Sequence, residues 1–353
     1  MKKSLWRNPV FINMLIGGVI GATFGSFGNL ILWLVGGLTI GALIGWVGET
    51  LLSKIIKSPA HHLRRMLLLV LFEALLVVYV VIPGYRAYQI THPPRFAVSV
   101  SPADLGLDYE SVLLPTTDGV DLAGWYIPSK NSAAIIAIHG GNGNRTHMLY
   151  HAGVLAQEGY GVLLFDLRAH GESGGAFFKA ANASQDVQAA VNFLQGRADV
   201  DPQRIGGVGL SLGGMALIQG AAETPTIQAL IADGADAGKL DDVLSPMPPE
   251  YRSLWFMIPE LWMIDRFVEL MSGVRATPIK ELVADISPRP ILFVSAGQGT
   301  EQFMNRQFYE HAGSTAQLWE LPETEHTGGI FTYPDEYRER MISFFNAHLL
   351  DNE

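Results

Sequence analysis

Residues 207–215 read GVGLSLGGM, so that Ser211 stands between two glycines in a G-x-S-x-G pattern. Because so short a pattern also occurs by chance, its surroundings decide whether Ser211 is a nucleophile or an ordinary loop serine. Residues 205–210 have the apolar composition of a buried strand, and residues 212–220 have that of a helix. Glycines allow the sharp backbone turn that such a junction needs, and the turn exposes the serine hydroxyl at the sheet edge. The context favours a nucleophile.

Short apolar runs and amphipathic stretches alternate on both sides of this turn, which predicts an α/β fold with a mostly parallel sheet flanked by helices. Before them, residues 110–128 predict an antiparallel hairpin that turns at Asp118-Gly119. The predicted parallel strands are residues 133–140, 160–168, 204–211, 227–235, 289–297 and 316–323.

The composition indicates a second, membrane-embedded part. The 353 residues are 48% hydrophobic and only 16% charged, which is too apolar for an ordinary soluble protein. Three apolar runs of roughly 18 residues, at 10–27, 30–47 and 66–83, predict two to three transmembrane helices. We therefore assign residues 1–90 to an all-α membrane anchor and residues 91–107 to a linker.

Glycine recurs at every fourth position in the first two apolar runs. On a helix these glycines line one face and allow close helix–helix association, within one chain or between chains. Glycine is also simply common in membrane helices. Glu73 lies inside the third run and is assigned no role. The glycines are Gly17, Gly21 and Gly25 in the first run and Gly37, Gly41 and Gly45 in the second.

Basic residues flank the apolar runs and predict the orientation of the anchor. Lys2, Lys3 and Arg7 precede the first run, and a basic loop at 54–65 follows the second. Because basic loops stay in the cytoplasm, a crossing by residues 66–83 places the rest of the chain on the extracytoplasmic side. If residues 66–83 lie in the membrane interface instead, the large domain stays cytoplasmic.

The large domain is strongly acidic. Of the 24 basic and 34 acidic residues, nine and two lie at or before Arg95, which leaves 15 basic and 32 acidic residues and a net charge of −17. This charge disfavours nucleic acid as a partner. The chain has no cysteine, which excludes disulfides, thiolate metal sites and a cysteine nucleophile.

Residues 108–349 resemble the α/β-hydrolase superfamily, specifically its Ser-His-acid hydrolases of the esterase, lipase and thioesterase kind. The resemblance is carried by GLSLG at 209–213, DLRAHGES at 166–173 and HGG at 139–141. It implies an α/β-hydrolase fold over residues 108–353. It also suggests that residues 239–286 form a cap, whose apolar side chains line an acyl pocket, touch the bilayer or only pack on the core.

The family order places a catalytic base in the loop after the last strand, which here contains His326. The family's usual aspartate is missing, and Glu301 is the nearest carboxylate after the strand at 289–297. Glu301 also suits the first turn of a helix without any catalytic role. Asp233 is the alternative acid. His170 belongs to a bracing turn in which Asp166 and Arg168 are expected to pair.

The resemblance also implies an oxyanion hole. The residue after the nucleophile, Leu212, provides one backbone N–H, and Gly141 provides the second, with Gly140 as the alternative. The loop HGGNGN lacks the Gly-Lys-Ser/Thr ending of a phosphate-binding P-loop.

Together these features predict a membrane-anchored serine hydrolase that cleaves an ester or thioester with an apolar acyl group through an acyl-enzyme on Ser211. We expect no cofactor and no metal, and the expected partners are the lipid bilayer and a small-molecule or lipid acyl substrate. A serine peptidase or amidase is the nearest alternative. A non-catalytic, membrane-tethered binding protein is the alternative from another class.

Overall fold

The computed structural model describes residues 9–24, 30–56, 62–178, 182–244, 252, 255–297 and 300–350. The chain forms two compact units, residues 1–83 and 84–353. Of the sequence features above, Lys2, Lys3, Arg7 and Gly25 lie outside the described residues, as does part of the basic loop and of the cap.

The first unit is helical. Its helices are α1 (Pro9–Phe24), α2 (Leu30–Ile55) and α3 (His62–Leu76), and a π-helical turn (Val77–Val81) leads into α4 (Ile82–Thr91), which crosses the boundary between the units. By length and composition, two helical stretches within the described residues are able to cross a membrane, Val35–Ile55 and Leu63–Thr91. Helix α1 has 16 residues, which is short for a span of ~20 residues.

Helices α1 and α2 pack through glycine. A Cβ atom on Gly17 would collide with the carbonyl oxygen of Gly37, and one on Gly41 would collide with the carbonyl oxygen of Asn13. A Cβ atom on Gly45 would lie 2.9 Å from Cβ of Asn13. The glycines of these two helices therefore bring the backbones together within one chain.

The second unit contains an eight-stranded sheet in the order β1-β2-β4-β3-β5-β6-β7-β8. Strands β1 and β2 form the antiparallel hairpin, β2 runs antiparallel to β4, and all other neighbours are parallel. The hairpin and the six predicted parallel strands are confirmed. The strands are β1 (Glu110–Pro115), β2 (Asp121–Ile127), β3 (Ala134–Ile138), β4 (Gly161–Phe165), β5 (Ile205–Leu210), β6 (Ile227–Asp233), β7 (Ile291–Ala296) and β8 (Gln317–Leu321).

Helices cover both faces of this sheet and enclose two apolar cores. Along β3, Ile136 and Ile138 point into one core, and Ile135 and Ala137 point into the other. This alternation follows from the two-residue period of a strand. The predicted α/β-hydrolase fold is confirmed. The helices are α5 (Leu149–Gln157), α6 (Ala183–Gln195), α7 (Leu212–Glu223), α8 (Leu240–Leu244), α9 (Ile258–Ser272), α10 (Ile279–Ile286), α11 (Glu301–His311), α12 (Gly329–Thr332) and α13 (Pro334–Phe345).

Candidate active site

Ser211 occupies the turn between β5 and α7, with φ 53° and ψ −116°. Few residues with a side chain adopt this conformation, and neighbouring glycines make the turn possible. A Cβ atom on Gly213 would lie 2.6 Å from the carbonyl oxygen of His139, and one on Gly209 would collide with the backbone of Gly213. The turn therefore has the strand-to-helix geometry that the sequence predicts.

The hydroxyl group of Ser211 donates a hydrogen bond to Asp236, with 3.0 Å between Oγ and Oδ2. The backbone brings these residues together. The N–H of Ser211 donates to the carbonyl of Asp233 at 2.8 Å, and the N–H of Asp236 donates to the carbonyl of Ser211 at 3.3 Å. Burial raises the pKa of the Asp236 carboxyl.

The sequence analysis did not single out Asp236, although its position along the chain indicates that it lies near Ser211. It lies three residues beyond the end of β6, at the same carboxyl edge of the sheet as Ser211. Because parallel strands β5 and β6 are neighbours, their following loops meet there. The strand order of the fold therefore predicts that the loops after β5 and β6 are neighbours. It does not predict the hydrogen bond between Ser211 and Asp236, because that bond depends on the directions of the two side chains.

His326 and Glu301 lie together, as the resemblance implies. Nδ1 of the imidazole is 2.6 Å from Oε2 of Glu301, and Oε1 of the same carboxylate accepts a 2.7 Å hydrogen bond from the N–H of Ala296. Glu301 is the first residue of α11 and is almost fully buried, whereas the His326 ring is half exposed. The hydrogen bond that His326 donates to Glu301 raises the pKa of His326, because the carboxylate stabilises the imidazolium.

The turn after β6 connects the two pairs. Gly234 has φ +60°, and a Cβ atom there would lie 3.0 Å from Cε1 of His326 and 3.1 Å from Oε1 of Glu301. A larger residue would press on both groups. The segment from Asp233 to Asp236 thus contacts the serine turn on one side and the His326–Glu301 pair on the other.

Asp233, the alternative acid, has a different partner. Its carboxylate is fully buried and accepts a 2.8 Å hydrogen bond from the hydroxyl of Tyr337 in α13. Burial raises the pKa of Asp233 to about 7. The imidazole Nδ1 of His326 bonds to Glu301, and the hydroxyl of Ser211 bonds to Asp236 rather than to His326.

The glycine loop after β3 lies beside the serine turn. A Cβ atom on Gly140 would lie 3.4 Å from Cβ of Ser211, and one on Gly141 would lie 3.4 Å from Cδ2 of Leu212. His139 holds the loop: its Nε2 accepts from the N–H of Leu167 at 3.1 Å, so Nδ1 carries the proton and donates to the carbonyl of Gly140 at 2.7 Å. Burial lowers the pKa of His139 to about 3, which keeps this ring neutral.

His170 also holds this loop, with Nε2 3.0 Å from the carbonyl oxygen of Gly141. Its other nitrogen, Nδ1, is 2.9 Å from the carbonyl oxygen of Arg168. Burial lowers the pKa of His170, and a neutral ring donates to one of these carbonyls at a time. The turn that contains His170 therefore braces the loop beside Ser211.

The expected pairing of Asp166 with Arg168 is wrong. The Arg168 guanidinium pairs with Asp118 at 2.7 Å and with Asp186 at 2.6 Å. Asp166 pairs instead with Arg145 at 2.5 Å. Arg145 lies in the turn before α5, Asp118 lies between β1 and β2, and Asp186 lies in α6. Each of the two side chains therefore pairs with another segment of the chain. Within the described residues no group of three or more His, Cys, Asp or Glu is arranged to hold a metal ion.

Comparison with known proteins adds to this geometry. The sequence model of a family described as "Alpha/beta hydrolase family" matches residues 135–340. The chain is 28% identical over 251 residues to YfhR of Escherichia coli K12, an uncharacterized protein, covering 68% of this chain and 81% of YfhR. It is 31% identical over 241 residues to the alpha/beta hydrolase domain-containing protein WAV2 of Arabidopsis thaliana, covering 65% of this chain and 72% of WAV2.

Among solved structures, the chain is similar to the esterase Pf2001 of Pyrococcus furiosus. The TM-score is 0.60 with 28% sequence identity, and the match covers 74% of this chain and 98% of the esterase. The similarity supports a hydrolase of the same fold.

Proposed function

Because the chain belongs to the alpha/beta hydrolase family, we propose that it is a membrane-anchored serine hydrolase that cleaves an ester or thioester with an apolar acyl group. The observation that carries the proposal is the pairing of His326 with Glu301 beside a turn that holds Ser211 at φ 53°. An imidazole oriented by a buried carboxylate, next to a half-buried serine, is the arrangement that acyl transfer requires.

The reaction proceeds through an acyl-enzyme. Ser211 Oγ attacks the carbonyl carbon while its proton passes to Nε2 of His326, and Glu301 stabilises the imidazolium. The tetrahedral intermediate collapses, His326 returns the proton to the departing alcohol or thiol, and the acyl group stays on Ser211. Water then loses a proton to His326 and attacks the acyl carbon, which releases the carboxylic acid and restores the serine.

The N–H groups of Leu212 and Gly141 are the proposed oxyanion donors. Leu212 begins α7, where the helix N-terminus favours negative charge. Gly141 lies against Leu212, and its loop is fixed by His139 and His170. Donors that are held before the substrate arrives stabilise the oxyanion without reorganisation.

The proposed mechanism requires one change in the serine side chain. In the resting conformation the hydroxyl donates to Asp236, so it has to rotate about its Cα–Cβ bond to donate to His326. Rotation between staggered positions is a small adjustment for serine, and substrate binding near Asp236 favours it by displacing the hydroxyl.

An apolar acyl group and a membrane anchor are supported by separate observations. The stretches Val35–Ile55 and Leu63–Thr91 are long and apolar enough to cross a bilayer. The segment between β6 and β7, which follows directly after Asp236, carries α8, α9 and α10, and α9 is rich in Trp, Met, Ile and Leu. The similar esterase of Pyrococcus furiosus is an ester hydrolase by its description.

Labelling of the purified full-length protein with a fluorophosphonate probe tests the nucleophile and its base. We expect labelling of the wild type, none of Ser211→Ala, and a loss of roughly 10²- to 10⁴-fold in labelling rate for His326→Ala and Glu301→Gln. Asp233→Asn serves as the matched control, because this carboxylate is equally buried but bonds to Tyr337.

Loss of labelling in Asp233→Asn with normal labelling in Glu301→Gln would identify Asp233 as the orienting acid. An unlabelled but folded wild type would support the alternative from another class, a membrane-tethered binding protein without catalytic activity.

A serine peptidase or aminoacyl esterase is a second candidate, and Asp236 favours it. A half-buried carboxylate at the nucleophile is well placed to bind an ammonium group on the acyl side of a substrate. The nitrophenyl esters of leucine and of 4-methylpentanoic acid differ only in that ammonium group. The second candidate predicts a higher kcat/KM for the leucine ester and loss of that preference in Asp236→Asn. An apolar-acyl hydrolase prefers the ester without the charge.

A further inference from the structure

Helix α9 is apolar in composition yet hardly buried. Its sequence is IPELWMIDRFVELMS, and Ser272 is its only buried residue. Trp262 is 51% exposed and Leu270 is 76% exposed, and Trp255 and Phe256 just before the helix are also exposed. We call these four residues the α9 apolar face. Several large apolar side chains exposed on one segment of a folded domain indicate an interaction site.

The opposite side of α9 packs against α4. Glu260 pairs with Arg86 at 2.9 Å, and a Cβ atom on Gly84 would lie 3.8 Å from the ring of Phe267. Positions 260, 267 and 271 lie on one side of a helix, whereas 262 and 266 lie on the far side and 270 lies between the two sides. Trp262 and Leu270 are therefore outside the contact with α4, and both are exposed.

Helix α4 is the final part of the candidate span Leu63–Thr91. The apolar run of that stretch ends at residue 83, and the residues that contact α9 follow directly. If residues 66–83 lie in hydrocarbon, residues 84–91 begin at the level of the lipid headgroups. Helix α9 contacts Gly84 and Arg86, which follow directly after the apolar run.

The chemistry of the exposed side suits a bilayer surface. Tryptophan prefers the headgroup region, where its ring is apolar and its N–H remains hydrated. The guanidinium of Arg266 lies 5.7 Å from the Trp262 ring centroid on the same side. The Arg275 side chain, just after the helix, is mostly exposed. Arg266 pairs with Glu269 at 2.7 Å, and Arg275 lies 3.8 Å from the same side chain. The two arginines therefore offset acidic charge that would otherwise repel anionic lipid phosphates.

We propose that the α9 apolar face lies in the boundary between lipid headgroups and acyl chains, beside the point where the last span leaves the membrane. The proposal rests on the membrane anchoring given under the proposed function. It names the source of the substrate as well: an acyl lipid held in the bilayer. Helices α8, α9 and α10 lie between β6 and β7. The segment that contacts lipid therefore connects Asp236, which follows β6, to the strand that precedes Glu301.

Single-cysteine variants of the full-length protein test this placement, because the natural chain has no cysteine. Trp262→Cys and Leu270→Cys are labelled with the fluorophore NBD and reconstituted into vesicles of phosphatidylcholine and phosphatidylglycerol. A lipid with a nitroxide near the headgroup end of its acyl chain serves as the quencher. We expect at least about twofold stronger quenching at both positions than at Leu113→Cys, which is an exposed apolar position on strand β1.

Leu71→Cys, in the candidate span, separates the two proposals. Quenching at 71 without quenching at 262 and 270 overturns the placement of α9 and leaves the anchor intact. No quenching at 71 overturns the anchor itself. Labels at 262 and 270 that are shielded from aqueous iodide and also from the lipid quencher would mean that a second protein copy covers the face, which also overturns the proposal.

Discussion

The imidazole of His326 titrates in a setting that favours its charged form. Because the hydrogen bond that His326 donates to Glu301 raises the pKa of His326, a larger fraction of the base is protonated at neutral pH than for a free histidine. The base acts only when neutral, so the rising limb of kcat/KM against pH has its midpoint above the ordinary value of about 6.5.

Glu301→Gln is expected to lower the rate and to move this midpoint to lower pH, since glutamine stabilises the imidazolium less than a carboxylate does. A pH profile of ester hydrolysis measures both effects. A midpoint that stays unchanged while the rate falls would mean that Glu301 acts only through the position of the loop.

Asp233 makes a testable contribution to stability. Its folded pKa of about 7 lies above the ordinary value of 3.8, so folding favours the protonated acid. The carboxyl therefore destabilises the protein progressively as pH rises from about 4 to about 7, and by a constant amount above that. One pKa unit corresponds to about 1.4 kcal/mol.

Asp233→Asn keeps an acceptor for Tyr337 and removes the buried charge. We expect it to raise the free energy of unfolding at pH 8 by on the order of 2–4 kcal/mol, with little effect near pH 4. Thermal unfolding at several pH values checks the prediction. Destabilisation at pH 8 would indicate that the charged form of Asp233 has a stabilising partner.

The sequence predicted some of these residues and could not predict others. Ser211 was predicted from the strand–turn–helix pattern around it, and His326 and Glu301 from the order of catalytic residues in the family that the sequence resembles. The partner of Asp233 is Tyr337, 104 residues away on the last long helix. Nothing in the spacing of residues indicates that contact, because it depends on how α13 packs on the sheet.

At the scale of elements, the glycines of α2 have unequal roles. A Cβ atom on Gly41 would collide with the carbonyl of Asn13 in α1, whereas a Cβ atom on Gly36 would meet no atom of the described residues within 4 Å. Alanine has the higher helix propensity by about 0.8–1 kcal/mol. Gly36→Ala is therefore a matched control for Gly41→Ala.

We expect Gly41→Ala to lower the thermal unfolding temperature in detergent and Gly36→Ala to leave it unchanged or raise it. Equal effects would mean that the close approach of α1 and α2 contributes little to stability.

The ends of elements were harder to predict than their existence. Apolar composition suggested that the third run ends at residue 83, but the helix continues through α4 to Thr91. Proline lacks the N–H that an α-helix interior needs. Here Pro83 is the second residue of α4, directly after the π-helical turn Val77–Val81, where the hydrogen-bond pattern already changes. The hydropathy of the sequence does not indicate this change in the hydrogen-bond pattern, so the end of the helix was predicted too early.

At the scale of the whole molecule, the predicted side of the membrane for Ser211 depends on the last crossing and not on the total number of membrane spans. With a cytoplasmic basic loop between α2 and α3, a single crossing by Leu63–Thr91 exports the hydrolase domain, whether or not α1 also crosses. We expect a membrane-impermeant maleimide to label Leu113→Cys in intact cells. Labelling that requires lysis would place the domain in the cytoplasm.

At position 211 activity requires serine, whereas the backbone angles favour glycine, so activity and stability favour different residues. Glycine adopts φ 53°, ψ −116° without penalty, so Ser211→Gly would be the more stable protein by about 1–3 kcal/mol and would have no nucleophile. A homologue that no longer needed to hydrolyse its substrate would gain stability from the single substitution Ser211→Gly. The persistence of serine at position 211 would then report continued use of the reaction, and glycine in a homologue would mark its loss.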